Sequence, residues 1–291
     1  MTRYAVLGPG GVGGLLAVLL SNAGHEVVVI ARPDSVEALR ENGFRLSSAA
    51  LGDHEARPGV VDTLDREVDA VFITPKATVL EAALESLPAE VVGEALVLPF
   101  LNGVDHLAGL RERYDAVVAG VIRVESTRVA PGVIEHGNDF ARIELAGDGV
   151  LGERAAGVVA DVLEAGLEAR LAPDEHAMLW GKLSFLAPFA LLTTAHRVPV
   201  GDVRTTHAEE MEAVIREVIA VSAAEGGPSD PAPVLKAFHG FGPGAKSSML
   251  RDAEAGNALE IDAIGGAVVR AARAHGIAVP RTEALVEHLS R

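Results

Sequence analysis

The chain has 291 residues, of which 49% are hydrophobic and only 4% aromatic, with a formal net charge of −16 and no cysteine. The length favours two domains, whose cores must be packed from Ala, Val and Leu. The acidic balance argues against a nucleic-acid partner, and the missing cysteines rule out disulfides, thiolate nucleophiles and thiolate metal sites.

Residues 4–7 are an apolar run that predicts a strand, and the apolar segment 15–20 predicts a helix. Between them stands Gly8-Pro9-Gly10-Gly11-Val12-Gly13, a G-x-G-x-x-G turn at a strand-to-helix junction. Small residues there let the backbone approach a pyrophosphate, and the helix N-terminus offers unpaired N–H groups to its charge. Residues 25–31 (HEVVVIA) form a second, β-branched run of the kind a buried parallel strand requires. The unit 3–31 therefore reads as strand, helix, strand, and it points to dinucleotide binding at Gly8, Gly10, Gly11, Val12 and Gly13. A glycine-rich turn that only closes a tight loop is the alternative. The end of the second strand chooses the cofactor: a carboxylate suits the ribose of NAD, an arginine the 2′-phosphate of NADP. Arg32 stands there, so NADPH is expected, with a solvated surface arginine as the other reading.

Further along, 36–42 predicts a short helix, 69–74 a strand, 77–87 a helix, 95–100 a strand, 105–113 a helix and 116–123 a strand. This alternation predicts an α/β N-terminal Rossmann domain with a doubly wound, mostly parallel sheet. Residues 125–145 have strand character with turn signals at Pro131-Gly132 and Gly137-Asn138, and 155–169 returns to helix. From Asp174, a capping residue type, a long helix is expected through Trp180 and Lys182, kinked near Pro188. Residues 207–224 and 253–275 are helical by apolar spacing, and the proline- and glycine-rich 225–244 predicts loops. The expected division is 1–173, an NADP-binding Rossmann domain, and 174–291, a mostly α-helical domain for substrate binding or dimerisation.

Three later segments carry a resemblance. They are Leu101-Asn102-Gly103-Val104, Trp180-Gly181-Lys182-Leu183, and Ser247-Ser248-Met249-Leu250-Arg251-Asp252 followed by Leu259-Glu260-Ile261-Asp262-Ala263-Ile264. With the N-terminal glycine turn, they are similar to the ketopantoate reductase (2-dehydropantoate 2-reductase) family over essentially the whole chain. The resemblance implies NADPH-dependent reduction of a 2-oxo acid to a 2-hydroxy acid in a cleft between the two domains. For the namesake reaction the product is pantoate, on the pantothenate route to coenzyme A. By the match, Lys182 is the general acid and Glu260 its partner carboxylate. Ser248 binds substrate, Asn102 sits by nicotinamide and substrate, and Lys76, in Thr74-Pro75-Lys76-Ala77, lies near the cofactor phosphates.

The chemistry agrees with these roles. Hydride delivered to a ketone carbon builds charge on oxygen, and a positioned proton donor relieves it. A lysine can do this if its surroundings bring its pKa toward neutrality. Plainer readings stand beside each residue: a solvated helix lysine, a glutamate paired on the surface, a serine that caps its helix, and an Asn-Gly turn.

The chain departs from the family where asparagines are expected, with Leu186, Ala190 and Val200 in their place. The first two should border the lysine's face and offer apolar surface, which favours a more apolar oxo substrate. A second class of reading is an NADPH-binding protein without efficient turnover. No G-x-S-x-G elbow suggests a hydrolase. The histidines are scattered, so no metal is expected, and His176 and His196 read as surface or boundary residues. Apolar stretches broken by glycine and charge predict no membrane span, and no basic n-region precedes an apolar core, so a cytoplasmic protein is expected. Small side chains in the C-terminal helices allow a homodimer.

Overall fold

The computed structural model describes all residues, Met1–Arg291. The chain forms two compact units: Met1–Leu101 with His106–Glu175, and Asn102–Asp105 with His176–Arg291.

The first unit holds two sheets built from ten strands: β1 Arg3–Leu7, β2 Glu26–Ile30, β3 Phe44–Ser48, β4 His54–Ala56, β5 Gly59–Val61, β6 Ala70–Ile73, β7 Leu96–Pro99, β8 Ala119–Ala130, β9 Val133–Ala146 and β10 Glu168–Leu171. One sheet runs β5-β2-β1-β6-β7, and all its pairs are parallel. Ala5 lies opposite Val28 on one side and Val71 on the other. The strand order turns back between β1 and β6, the switch point where open α/β sheets bind ligands. In β1 and β2 only the first residue is exposed, which explains their unbroken apolar character.

The second sheet is mixed, in the order β10-β9-β3-β4, with β8 antiparallel to β9. Helix Gly11–Asn22 packs on β1 and β2 on one side and on β3, β4, β8 and β9 on the other. That double covering buries every residue from Gly13 to Leu20 and accounts for a helix apolar all round. Tyr4 ties helix Gly149–Glu164 to β1 by donating to Asp161 at 2.6 Å. Burial first, and then that hydrogen bond, holds the Tyr4 phenol far above its usual pKa range.

Several sequence expectations change here. The helix expected over 155–169 spans Gly149–Glu164, Gly166 turns the chain at φ +88°, and β10 follows as a largely exposed edge strand without an apolar run. The helix expected over 77–87 is a 3₁₀ turn, Ala77–Val79, followed by Leu80–Leu84. Pro131-Gly132 does reverse the chain between β8 and β9. Gly137-Asn138 does not. It is a bulge within β9, where Ser126 pairs with His136 but Val124 pairs with Ala141. The Glu125 N–H donates to Asn138 Oδ1 at 3.2 Å and fills the gap in the ladder.

The second unit is helical. Helix Glu175–His196 continues through Pro188 and is covered by Val200–Thr206, Ala208–Ala224, Ala232–Gly240 and Pro280–Leu289 around a core that includes Trp180, Leu183, Leu191, Val214, Phe238 and Val268. Glu175–His196, with a mean hydropathy of 1.3, is long and apolar enough to cross a membrane by length and composition, contrary to expectation. Trp180, Leu183, Ala187 and the run Phe189–Leu192 of this helix are core residues of this unit. Helix Ala232–Gly240 lies in the segment expected to be loops; its prolines sit at the start, where a missing N–H costs nothing. The single helix expected over 253–275 is interrupted. Gly256, at φ +72°, ends Ser248–Ala255, and the chain resumes as a π-helical turn, Asp262–Gly266, followed by Ala267–His275.

Candidate active site

The glycine turn of the first unit divides its labour. Gly8 adopts φ +87° with Pro75 3.1 Å from where a Cβ would stand, so the tight turn requires glycine. A Cβ on Gly13 would lie 2.3 Å from the Gly8 oxygen and 2.4 Å from Thr74 Oγ1, so this glycine lets the helix pack against the turn. A Cβ on Gly11 would meet the Ser126 carbonyl at 2.1 Å, so Gly11 serves packing on β8. Gly10 alone has no atom within 4 Å of its Cβ position. It caps helix Gly11–Asn22, whose first turn has no acidic residue and no side-chain cap. An open approach beside an uncapped helix N-terminus fits the pyrophosphate of a dinucleotide. Val12 is partly buried against the core of this unit.

Thr74, just past β6, donates its hydroxyl to the carbonyls of Leu7 and Gly8 at 2.8 and 2.7 Å. This clip brings Pro75 and the exposed Lys76 to the carboxyl edge of the sheet beside the glycine turn. Sequence reasoning did not single out Thr74, because one hydroxyl after a strand carries no signal until the strands are paired. Arg32 stands between β2 and helix Pro33–Asn42 with its side chain 77% exposed, 3.7 Å from Asp34.

In the second unit Asn102 donates to Glu260 Oε2 at 2.9 Å. Glu260 is buried, although it stands in an irregular segment just ahead of the π-helical turn. Gly103 makes this pairing feasible: it sits at φ +86°, and a Cβ there would be 2.2 Å from the Ala263 oxygen. Arg270 then clamps the segment, donating to Asp105 at 2.7 Å and to Asp262 at 2.6 Å. Burial works against the charge on Arg270, but its bonds to Asp262 and Asp105 outweigh burial and raise its pKa. Asn102-Gly103 is thus a tight turn and also a partner for a buried carboxylate.

Lys182 lies on helix Glu175–His196 and is partly exposed. Helical spacing places Phe185, Leu186, Phe189 and Thr193 along its face. Ser248 is exposed at the start of helix Ser248–Ala255, and the cap is made by its neighbour: Leu250 N–H donates to Ser247 Oγ at 3.0 Å. The capping role open to Ser248 belongs to Ser247, a choice that two adjacent serines leave undecided in sequence. Ala190 and Val200 are fully buried in the core, contrary to the expectation of surface at Ala190, and only Leu186 keeps exposed area. The structure also groups His196, His207 and Glu210, with Glu210 2.8 Å from His196 Nε2 and the two rings 3.6 Å apart. At 16° those rings are nearly parallel, so their lone pairs do not converge on one point.

Residues 4–146 match the family model described as Ketopantoate reductase PanE/ApbA, and residues 175–291 match its C-terminal model. The chain belongs to the ketopantoate reductase family. A 2-dehydropantoate 2-reductase of Caulobacter vibrioides is 31% identical to it over 299 residues, covering 100% of this chain and 99% of the relative. Another, of Archaeoglobus fulgidus, is 32% identical, covering 96% and 95%. The solved PanE/ApbA family ketopantoate reductase from Ralstonia eutropha superposes with a TM-score of 0.88 at 28% identity, covering 98% of this chain and 96% of that one. As a ketopantoate reductase family member, the protein is an oxidoreductase acting on CH–OH groups with a nicotinamide cofactor.

Proposed function

We propose that the protein reduces a 2-oxo acid to a 2-hydroxy acid with NADPH, converting 2-dehydropantoate to (R)-pantoate. The observation that carries this reading is the buried Glu260 carboxylate held by Asn102 in the unit that also bears Lys182. When bound, the nicotinamide supplies a hydride to the ketone carbon. Lys182 delivers a proton from its ammonium to the carbonyl oxygen as charge develops there. Glu260 is the partner carboxylate of Lys182, Asn102 fixes that carboxylate and meets nicotinamide and substrate, and Ser248 binds the substrate. Gly8, Gly10, Gly11, Val12 and Gly13 receive the pyrophosphate, with Lys76 and Arg32 on the remaining phosphates. A cytoplasmic homodimer completes the proposal. The test is NADPH oxidation by the purified protein with ketopantoate; no turnover of ketopantoate or of any other 2-oxo acid would overturn it.

Arg32→Ala should raise the Kd for NADPH about 10- to 100-fold and leave that for NADH within about twofold, as loss of a charge-assisted phosphate contact predicts. Fluorescence titration with both cofactors checks this. Equal effects on both would return Arg32 to the surface-charge reading.

A specific observation favours a more apolar substrate as the second reading. Leu186 replaces an expected asparagine beside Lys182, and Phe185 stacks on Phe241 at 5.2 Å, with Phe241 38% exposed. The side chains of Phe185, Leu186 and Phe241 offer no hydrogen bond to the hydroxyl of ketopantoate. Leu186→Asn should raise the ratio of kcat/KM for ketopantoate over that for phenylpyruvate about tenfold, the worth of one hydrogen bond. An unchanged ratio would remove Leu186 from substrate selection.

A further inference from the structure

We propose that Thr193 is a positioning residue for substrate binding, holding the helix that presents Ser248 on the helix that presents Lys182. This rests on the reading of Ser248 as a substrate-binding residue. Thr193 and Ser247 are almost completely buried, at 0% and 1% exposure. Thr193 Oγ1 lies 2.7 Å from the Phe189 carbonyl and 2.8 Å from Ser247 Oγ. Ser247 Oγ in turn accepts the Leu250 N–H.

Each hydroxyl has a single proton, and this fixes the direction of the chain. A carbonyl can only accept, so Thr193 gives its proton to Phe189 and accepts from Ser247. Ser247 gives its proton to Thr193 and accepts from Leu250. Each hydroxyl is thereby both donor and acceptor in a dry site, where such chains reinforce one another.

The segment leading to Ser247 is held by backbone bonds from Val200 N–H to the Ala245 carbonyl and from Gly201 N–H to the Pro243 carbonyl, each at 2.9 Å, and by Lys246, which donates to Glu254 at 2.6 Å. At Ser247 itself, the side-chain hydroxyl is joined to the Thr193 hydroxyl. Thr193→Val keeps the shape but leaves the Ser247 proton buried without its acceptor. Ser247 must then turn, its cap on Leu250 weakens, and the first turn of helix Ser248–Ala255 moves with Ser248 on it. Ser248 then no longer meets its substrate in the same place, so substrate binding weakens.

The test compares Thr193→Val, Thr193→Ser and Ser248→Ala with the 2-oxo acid the wild type reduces fastest. Thr193→Val should raise KM about tenfold with kcat within about twofold, the signature of lost uniform binding. The Kd for NADPH should not change, and Thr193→Ser should restore KM. The double variant Thr193→Val/Ser248→Ala should show no higher KM than Ser248→Ala, because Thr193 acts through Ser248. If Thr193→Val does not fold, Ser247→Ala cuts the same chain at its other hydroxyl and should show the same KM signature. A raised KM in Ser248→Ala with a normal KM in Thr193→Val would overturn the proposal and leave the role of Ser248 standing. A normal KM in Ser248→Ala would remove both, and no turnover of any 2-oxo acid by the wild type would remove the proposed function itself.

Discussion

Replacement of Lys182 by alanine should lower kcat for 2-oxo acid reduction about 10²- to 10⁴-fold, the usual contribution of a positioned proton donor. The fold should survive, because Lys182 is only partly buried and alanine is the best helix former. The Kd for NADPH should stay within about twofold, since the glycine turn belongs to the other compact unit. Lys182→Arg should fail almost as badly, because a guanidinium does not release its proton at neutral pH. Single-turnover measurement of nicotinamide absorbance separates the chemical step from binding. Retention of more than about a third of the wild-type kcat would mean that water or another group protonates the oxygen, and Lys182 would lose its assigned role.

The second large effect is expected at the glycine turn. Gly13→Ala places a methyl 2.3 Å from the Gly8 carbonyl oxygen and 2.4 Å from Thr74 Oγ1. Neither atom can yield freely: one is backbone, and the other clips β6 to the carbonyls of Leu7 and Gly8. The turn must shift, at about 1–3 kcal/mol or more, and NADPH affinity should fall at least about tenfold as the N–H groups lose their aim. Gly10→Ala is the control. Its methyl enters open space, so the protein without cofactor loses only about 1 kcal/mol through a poorer helix cap. NADPH affinity should nevertheless drop, because that methyl occupies the approach of the pyrophosphate. Thermal unfolding with and without NADPH distinguishes the two variants. If Gly10→Ala binds NADPH like the wild type, the pyrophosphate does not lie there; if Gly13→Ala keeps both Tm and affinity, the packing argument is wrong.

Much of the first unit was legible because its signals are local. The β-branched run of β2 and the glycine turn after β1 require only their own residues and a neighbouring strand. The second sheet was less legible. The edge strand β10 has little apolar surface, and helix Ser248–Ala255 ends through one left-handed glycine, a cue that apolar periodicity alone passes over. The substitutions at Leu186, Ala190 and Val200 illustrate the same limit. Their spacing from Lys182 could be counted, but only packing shows that Ala190 and Val200 face the core and that Leu186 keeps exposed area.

By itself the sequence determined the order of strands and helices through most of the chain, the dinucleotide turn, and the motifs that carry the family. Each depends on residues near one another along the backbone. Tertiary structure alone decided that Glu260 is buried with Asn102 as its partner and that Thr193 holds Ser247. Those pairs are separated by 158 and 54 residues in the Asn102–Glu260 and Thr193–Ser247 bonds, so chain packing had to bring them together before their hydrogen bonds could exist.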